Sequence, residues 1–248
     1  MMSIPDIRKI FFVSGFVFCF LFSSFFANGQ ERRKGSTKYL PQQQAEELTV
    51  ILPDYFSGFD LTADSADYLI SLCANVPNSR KPHKVIYNQQ TGHVFLILQQ
   101  VKKTVTDTIH KVFGFYPKRG LPALVFKSIK SNIKDNSLRW YNAGITKKIN
   151  REDFGQVLHL AFQQSQKKYH INKYNCYDYA VLVFNAVAGN DTLPVTHVRF
   201  PFIFGKGGSP TGLYADLKQM KERGSNTVSE IRFGSFQAPV STGRKLRR

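Results

Sequence analysis

Tyr174-Asn175-Cys176-Tyr177-Asp178-Tyr179-Ala180 places a cysteine where a helix begins. Asn175 is a good N-cap, and residues 177–188 are apolar at helical spacing before Gly189 and Asn190 close the run. Cys176 then falls in the first turn, where free backbone N–H groups and the positive end of the helix dipole favour the nucleophilic thiolate. Such a nucleophile needs a base. Far upstream, Thr91-Gly92-His93-Val94-Phe95-Leu96-Ile97-Leu98 opens an apolar strand with a histidine directly after a glycine turn, so His93 is the candidate partner. The competing reading of Cys176 is a small buried residue packing a helix against a sheet.

The N-terminus has the composition of a processing signal. Arg8 and Lys9 precede an apolar run over residues 10–26, and Ala27-Asn28-Gly29 supplies a small-x-small cleavage site before Gln30. Residues 1–29 are therefore expected to be a signal peptide, the alternative being a retained anchor, with the mature chain in the periplasm or outside the cell. Removing this segment takes Cys19 with it. Cys73 and Cys176 then remain in an oxidising compartment, which permits a disulfide between them. Against that pairing, a domain of this size needs no single staple, and Cys73 sits among Leu69, Ile70, Leu72 and Val76 in a pattern that reads as buried helix.

A formal charge of +17 favours polyanionic surroundings: nucleic acid, anionic lipid, or the phosphate- and carboxylate-bearing polymers of a bacterial envelope. Nucleic acid is not the expected partner, on pattern as well as on export. The basic pairs Lys102-Lys103, Lys147-Lys148, Lys167-Lys168 and Arg244-Lys245 are scattered, with no aromatic-interleaved stripe. No cofactor or metal is called for. His83, His93, His110, His159, His170 and His197 show neither HExxH nor paired-cysteine spacing, and Gly205-Lys206-Gly207-Gly208-Ser209 lacks the Lys-Ser/Thr of a phosphate-binding loop.

In chain order, residues 30–47 read as a flexible polar linker, and a fold over 48–222 begins with a short strand at residues 48–52. A helix is expected over 62–75. Strands are expected at 93–98 and 105–115, joined by a polar turn near Lys102 that makes them an antiparallel hairpin. That hairpin brings His110 and Lys111 roughly opposite His93, so His110 is a candidate for orienting the imidazole, the alternative being a plain strand histidine. Residues 123–136 are ambiguous, 138–149 form another strand, and Asn150 with Asp153 caps a helix to about Lys168. Residues 211–220 form a short helix. Residues 223–248 read as a polar, basic tail. The fold class is α+β: a small antiparallel sheet packed against the helix that carries Cys176.

His93 on a strand after Gly92, the strand end Gly114-Phe115-Tyr116-Pro117, and Asn175-Cys176-x-x-Tyr179-Ala180 at a helix start together resemble the circularly permuted papain-like cysteine hydrolases. This superfamily includes NlpC-type cell-wall peptidases and, in permuted order, lecithin retinol acyltransferase-like proteins and bacterial lipid hydrolases. The order is specific: here the histidine precedes the cysteine. Ser209-Pro210-x-x-Leu213-x-x-Asp216-Leu217 also looks like the segment after the cysteine helix in secreted bacterial relatives, so the resemblance spans about residues 48–220. It implies a nucleophile at Cys176, a base at His93 and a polar orienting residue on the next strand, for which Thr106, Thr108, His110 and Lys111 stand open. The expected activity is hydrolysis of an amide bond in peptidoglycan peptide stems, in keeping with an anionic wall polymer as partner. A lipid hydrolase or acyltransferase acting on lipid, and a non-catalytic envelope-binding module with a structural Cys176, are the alternatives.

Overall fold

The computed structural model describes residues 47–62, 66–88, 90–102, 108–119, 127–200, 205–224 and 229–244. The expected signal peptide and residues 30–46 of the linker lie outside them. All described residues belong to one unit, Gln44–Arg248. Its elements are β1 (Thr49–Val50), α1 (Leu52–Phe56), β2 (Ala66–Asn75), β3 (His93–Lys102), β4 (Thr108–Pro117), β5 (Ser131–Asp135), β6 (Trp140–Ile149), α2 (Arg151–Ser165) and α3 (Cys176–Asn185). A short hairpin of β7 (His197–Arg199) and β8 (Lys206–Gly208), then α4 (Pro210–Glu222) and β9 (Glu230–Gln237), complete the chain.

The architecture is α+β, with a seven-stranded antiparallel sheet of order β1-β5-β4-β3-β2-β6-β9. The sheet is larger than the small one expected. The predicted hairpin is present: β3 and β4 pair antiparallel from Val101–Thr108 to Leu96–Phe113. Alternation divides the sheet into two faces. On the first, Ile70, Leu72, Val94, Leu96, Leu98, Phe113 and Phe115 pack against Phe154 and Val157 of α2 and Tyr179, Ala180 and Val183 of α3. On the second, Cys73, Phe95, Ile97, Val112 and Tyr141 form a smaller cluster closed by Ala238 and Phe236.

Three expectations are corrected here. Residues 66–75 are not helix but β2, sandwiched between β3 and β6. A strand covered on both faces loses its polar alternation, so its apolar run passes for a buried helix. The strand expected at 48–52 is shortened to β1, because Leu52-Pro53 starts α1, with proline tolerated in a first turn. The expected tail is part of the sheet: β9 pairs with β6, and residues beyond it bond back to β4 through Thr242 and the His110 carbonyl. No described helix is long and apolar enough to cross a membrane.

Candidate active site

α3 begins at Cys176 because residue 175 satisfies its first turn. The Asn175 side chain accepts from the Tyr177 amide at 2.8 Å, and Asp178 reciprocates by accepting from the Asn175 amide at 2.9 Å. Asn175 Nδ2 also donates to the carbonyls of Ile171 and Gly208, which fastens the helix start to its surroundings. Gly208 is required there: a Cβ at that position would lie 2.0 Å from the Tyr177 ring. The glycine loop that matched no phosphate-binding pattern thus serves close packing on α3.

The Cys176 thiol is buried, and the backbone N–H of Val94, the residue after His93, acts on it to lower its pKa. The ladder geometry explains why that amide is available. Pairing of β3 with β4 stops at Leu96–Phe113, while His93, Val94 and Phe95 continue only alongside β2. That end of the ladder leaves a mouth between β3 and β4 at the Val94 amide. Burial keeps the Tyr169 hydroxyl protonated by raising its pKa well above the usual phenol value, aided by Cys176 and Asp178 and opposed by the Cys176 amide.

His93 continues the Phe95 and Ile97 side of β3, so its ring lies on the second face. It stacks on Tyr116 with centroids 4.3 Å apart and sits over Gly114, where a Cβ would come within 2.3 Å of Nε2. The thiol and the imidazole therefore reach the end of β3 from two sides. They share the Val94 junction and the Arg139 guanidinium as an electrostatic neighbour, but among the described residues no direct hydrogen bond joins them.

The residue against His93 is Asn136, whose Oδ1 lies 3.3 Å from Nε2. The expected orienting residue, His110, is not there: the register sets it opposite Gln99, to which its Nδ1 bonds at 3.1 Å. Thr108 lies further still from His93 along β4, opposite Val101, and Lys111 lies opposite Leu98. Thr106 lies outside the described residues. The histidine's true neighbours on β4 are Gly114 and Tyr116, because the hairpin is longer than a tight turn near Lys102 would make it.

Asn136 has its amide orientation fixed by its other bonds. Nδ2 donates to the Tyr116 hydroxyl at 2.7 Å and to Glu47 at 3.3 Å, which leaves Oδ1 for His93. Nε2 of His93 then carries the proton, and Nδ1 remains as the acceptor. Arg139 donates to both Glu47 and Tyr116 and closes the network. Glu47, the last residue of the expected linker, is thus bound into the site's support.

Electrostatics set the resting protonation. Burial pushes the Cys176 thiol up to about 11, aided by Asp178 and opposed by the Val94 and Tyr177 amides and by Arg139. Burial, Arg139 and Lys134 hold His93 well below its ordinary value, against the bond to Asn136. The resting pair is therefore neutral thiol and neutral imidazole, not the helix-stabilised thiolate the sequence suggests. Cys73 is buried on the second face, and both cysteines are free thiols, so no disulfide ties them. The described residues contain no cluster of three or more metal-ligating side chains.

Asn136, Tyr116, Tyr169 and Arg139 are not separable by sequence pattern. Tyr116 lies in the quoted strand end, but only the register reveals its ring under His93. Comparison with models of known protein families, with curated proteins and with solved structures finds no match.

Proposed function

We propose that the protein is an exported cysteine hydrolase of permuted papain-like architecture, cleaving an amide bond in the peptide stems of peptidoglycan. The observation that carries this reading is the Asn136 bond to Nε2 of His93, which leaves Nδ1 free as a base one residue from Val94, whose amide lowers the pKa of the Cys176 thiol. In the reaction, the Cys176 side chain rotates toward the end of β3 and Nδ1 takes the thiol proton, while the Asn136 bond keeps the imidazole in place. The thiolate attacks the carbonyl carbon, the C–N bond breaks, and the amine leaves with the proton from the imidazolium, so that the acyl group remains on the sulfur as a thioester. The backbone amide of Cys176 at the start of α3, with the protonated Tyr169 hydroxyl, would donate to the developing oxyanion. Water, deprotonated by the same imidazole, then releases the acyl group and restores the thiol. Export rests on the N-terminal sequence, and the wall polymer on the positive charge.

The test is labelling of the full chain with a thiol-directed electrophile at neutral pH, followed by turnover of muropeptides and of a lipid ester. The reading expects modification of Cys176 that His93→Ala slows, and cleavage of the peptide that Cys176→Ala abolishes. Labelling indifferent to His93 overturns the pair; turnover of the ester alone moves the substrate to lipid.

A further inference from the structure

Lysines that look scattered in the sequence converge on one face of the sheet. β4 and β5 pair with Gly114 opposite Lys134 and Tyr116 opposite Asn132, and one step further the Lys118 amide donates to the Lys130 carbonyl at 2.8 Å. Ile129 bonds in both directions with Tyr169, which brings Lys168 beside Lys130. Cross-strand partners share a face, and alternate residues return to it. Lys118, Lys130, Lys134 and Lys168 therefore stand with Tyr116 and the His93 ring on the second face. Lys118, Lys130 and Lys168 are exposed, and the Lys134 ammonium lies 4.9 Å from the centre of the Tyr116 ring.

With strands about 4.8 Å apart and alternate residues about 6.7 Å apart, these side chains make a close grid of positive charge. Like charges directly opposite on neighbouring strands are unfavourable. Yet the ion pairs of the described residues give Lys118, Lys130 and Lys168 no carboxylate. The end of the grid nearest His93 shows what it accepts. There the Glu47 carboxylate takes bonds from Tyr116 at 2.7 Å, Asn136 at 3.3 Å and Arg139, with Lys134 at 3.7 Å. Arg139 Nε is buried beside it with no partner among the described residues.

We propose that this face is a docking track for an extended, carboxylate-bearing polymer, with the Glu47 seat as its last position beside His93. The link to Cys176 rests on the hydrolase reading above, whereas docking itself needs no thiol.

The experiment measures binding of fluorescently labelled poly-L-glutamate to the full chain by anisotropy across a salt series. The triple variant Lys118→Gln/Lys130→Gln/Lys168→Gln is expected to bind about tenfold more weakly and with a flatter salt dependence. A control of equal net charge, Lys81→Gln/Lys84→Gln/Lys218→Gln, stays within about twofold of the parent. Glu47→Gln removes the resident negative charge from the seat and binds more tightly. Absence of binding, equal weakening in both triple variants, or no gain from Glu47→Gln overturns the track; tighter binding of polyphosphate of matched length overturns the choice of carboxylate. Cys176→Ala binds like the parent if the track is right, whatever becomes of the thiol chemistry.

Discussion

Oδ1 of Asn136 lies 3.3 Å from Nε2 of His93, and the amide is held from behind by Tyr116 and Glu47. One side-chain bond therefore selects which imidazole nitrogen is free. Losing a hydrogen bond of this kind costs about 1 kcal/mol, so Asn136→Ala should slow Cys176 alkylation at neutral pH by about fivefold to tenfold. Nitrogen NMR of the His93 ring should change from a single Nε2–H tautomer to a mixture. An unchanged tautomer with unchanged alkylation would remove Asn136 from the site.

Gly114 gives a sharper handle on the same bond. A Cβ there would lie 2.3 Å from His93 Nε2 and 2.4 Å from Asn136 Oδ1, so it wedges donor from acceptor. Gly114→Ala is expected to lower stability by about 1–3 kcal/mol, as overpacking does, and to bring Cys176 alkylation down to the His93→Ala rate. A folded Gly114→Ala protein that alkylates at the parent rate would show that the imidazole is not the base.

His93 should also leave a mark on acid stability. Its folded pKa is depressed by burial and by Arg139, so between that value and the unfolded value near 6.5 the unfolded chain binds the extra proton. Its contribution is present above about pH 6.5 and is lost as pH falls below it, at up to about 1.4 kcal/mol per pH unit. His93→Gln should flatten the decline of the melting temperature between neutral and mildly acidic pH. The assignment fails if parent and variant decline in parallel.

The two cysteines should differ for reasons of position. Cys73 lies at the centre of β2 under Phe95 and Tyr141, and burial pushes its thiol up, opposed by Arg232. The Val94 and Tyr177 amides and Arg139 lower the Cys176 thiol, yet burial still raises it to about 11. Alkylation of Cys176 should therefore climb with pH beyond 9, and Cys73 should react only on unfolding. Equal rates in the native protein would contradict both placements.

The parts of the site that were legible lie where local chemistry decides. Asn175 and Asp178 announce a helix start, and Gly92-His93 announces a strand start; both are where they were expected. Asn136 was not legible, because its role arises from the register of β4 and β5 and from a bond across 43 residues. The helix misread at residues 66–75 has the same origin, since its neighbours β3 and β6, and not its own pattern, make it a strand. Charge beyond Gly224 concealed β9, an edge strand whose partly exposed face keeps polar residues.

The C-terminal segment gives the last test, because it was expected to contribute nothing. Arg244 pairs with Asp135 at 2.9 Å, and both side chains are almost fully buried. Asp135 also accepts from the Ser137 amide and hydroxyl, and Ser241 reaches the same carboxylate at 3.3 Å. This cluster sits at the end of β5, directly before Asn136. Removing one partner of a buried pair leaves an uncompensated charge and costs about 3–5 kcal/mol. Arg244→Met should therefore lower the denaturant midpoint substantially, whereas Lys218→Gln, which breaks the exposed pair with Glu222, should cost under about 1 kcal/mol. Because Asn136 follows Asp135, Arg244→Met should also slow Cys176 alkylation under conditions where the chain remains folded. Equal stability losses for the two variants would return residues beyond β9 to the status of a tail.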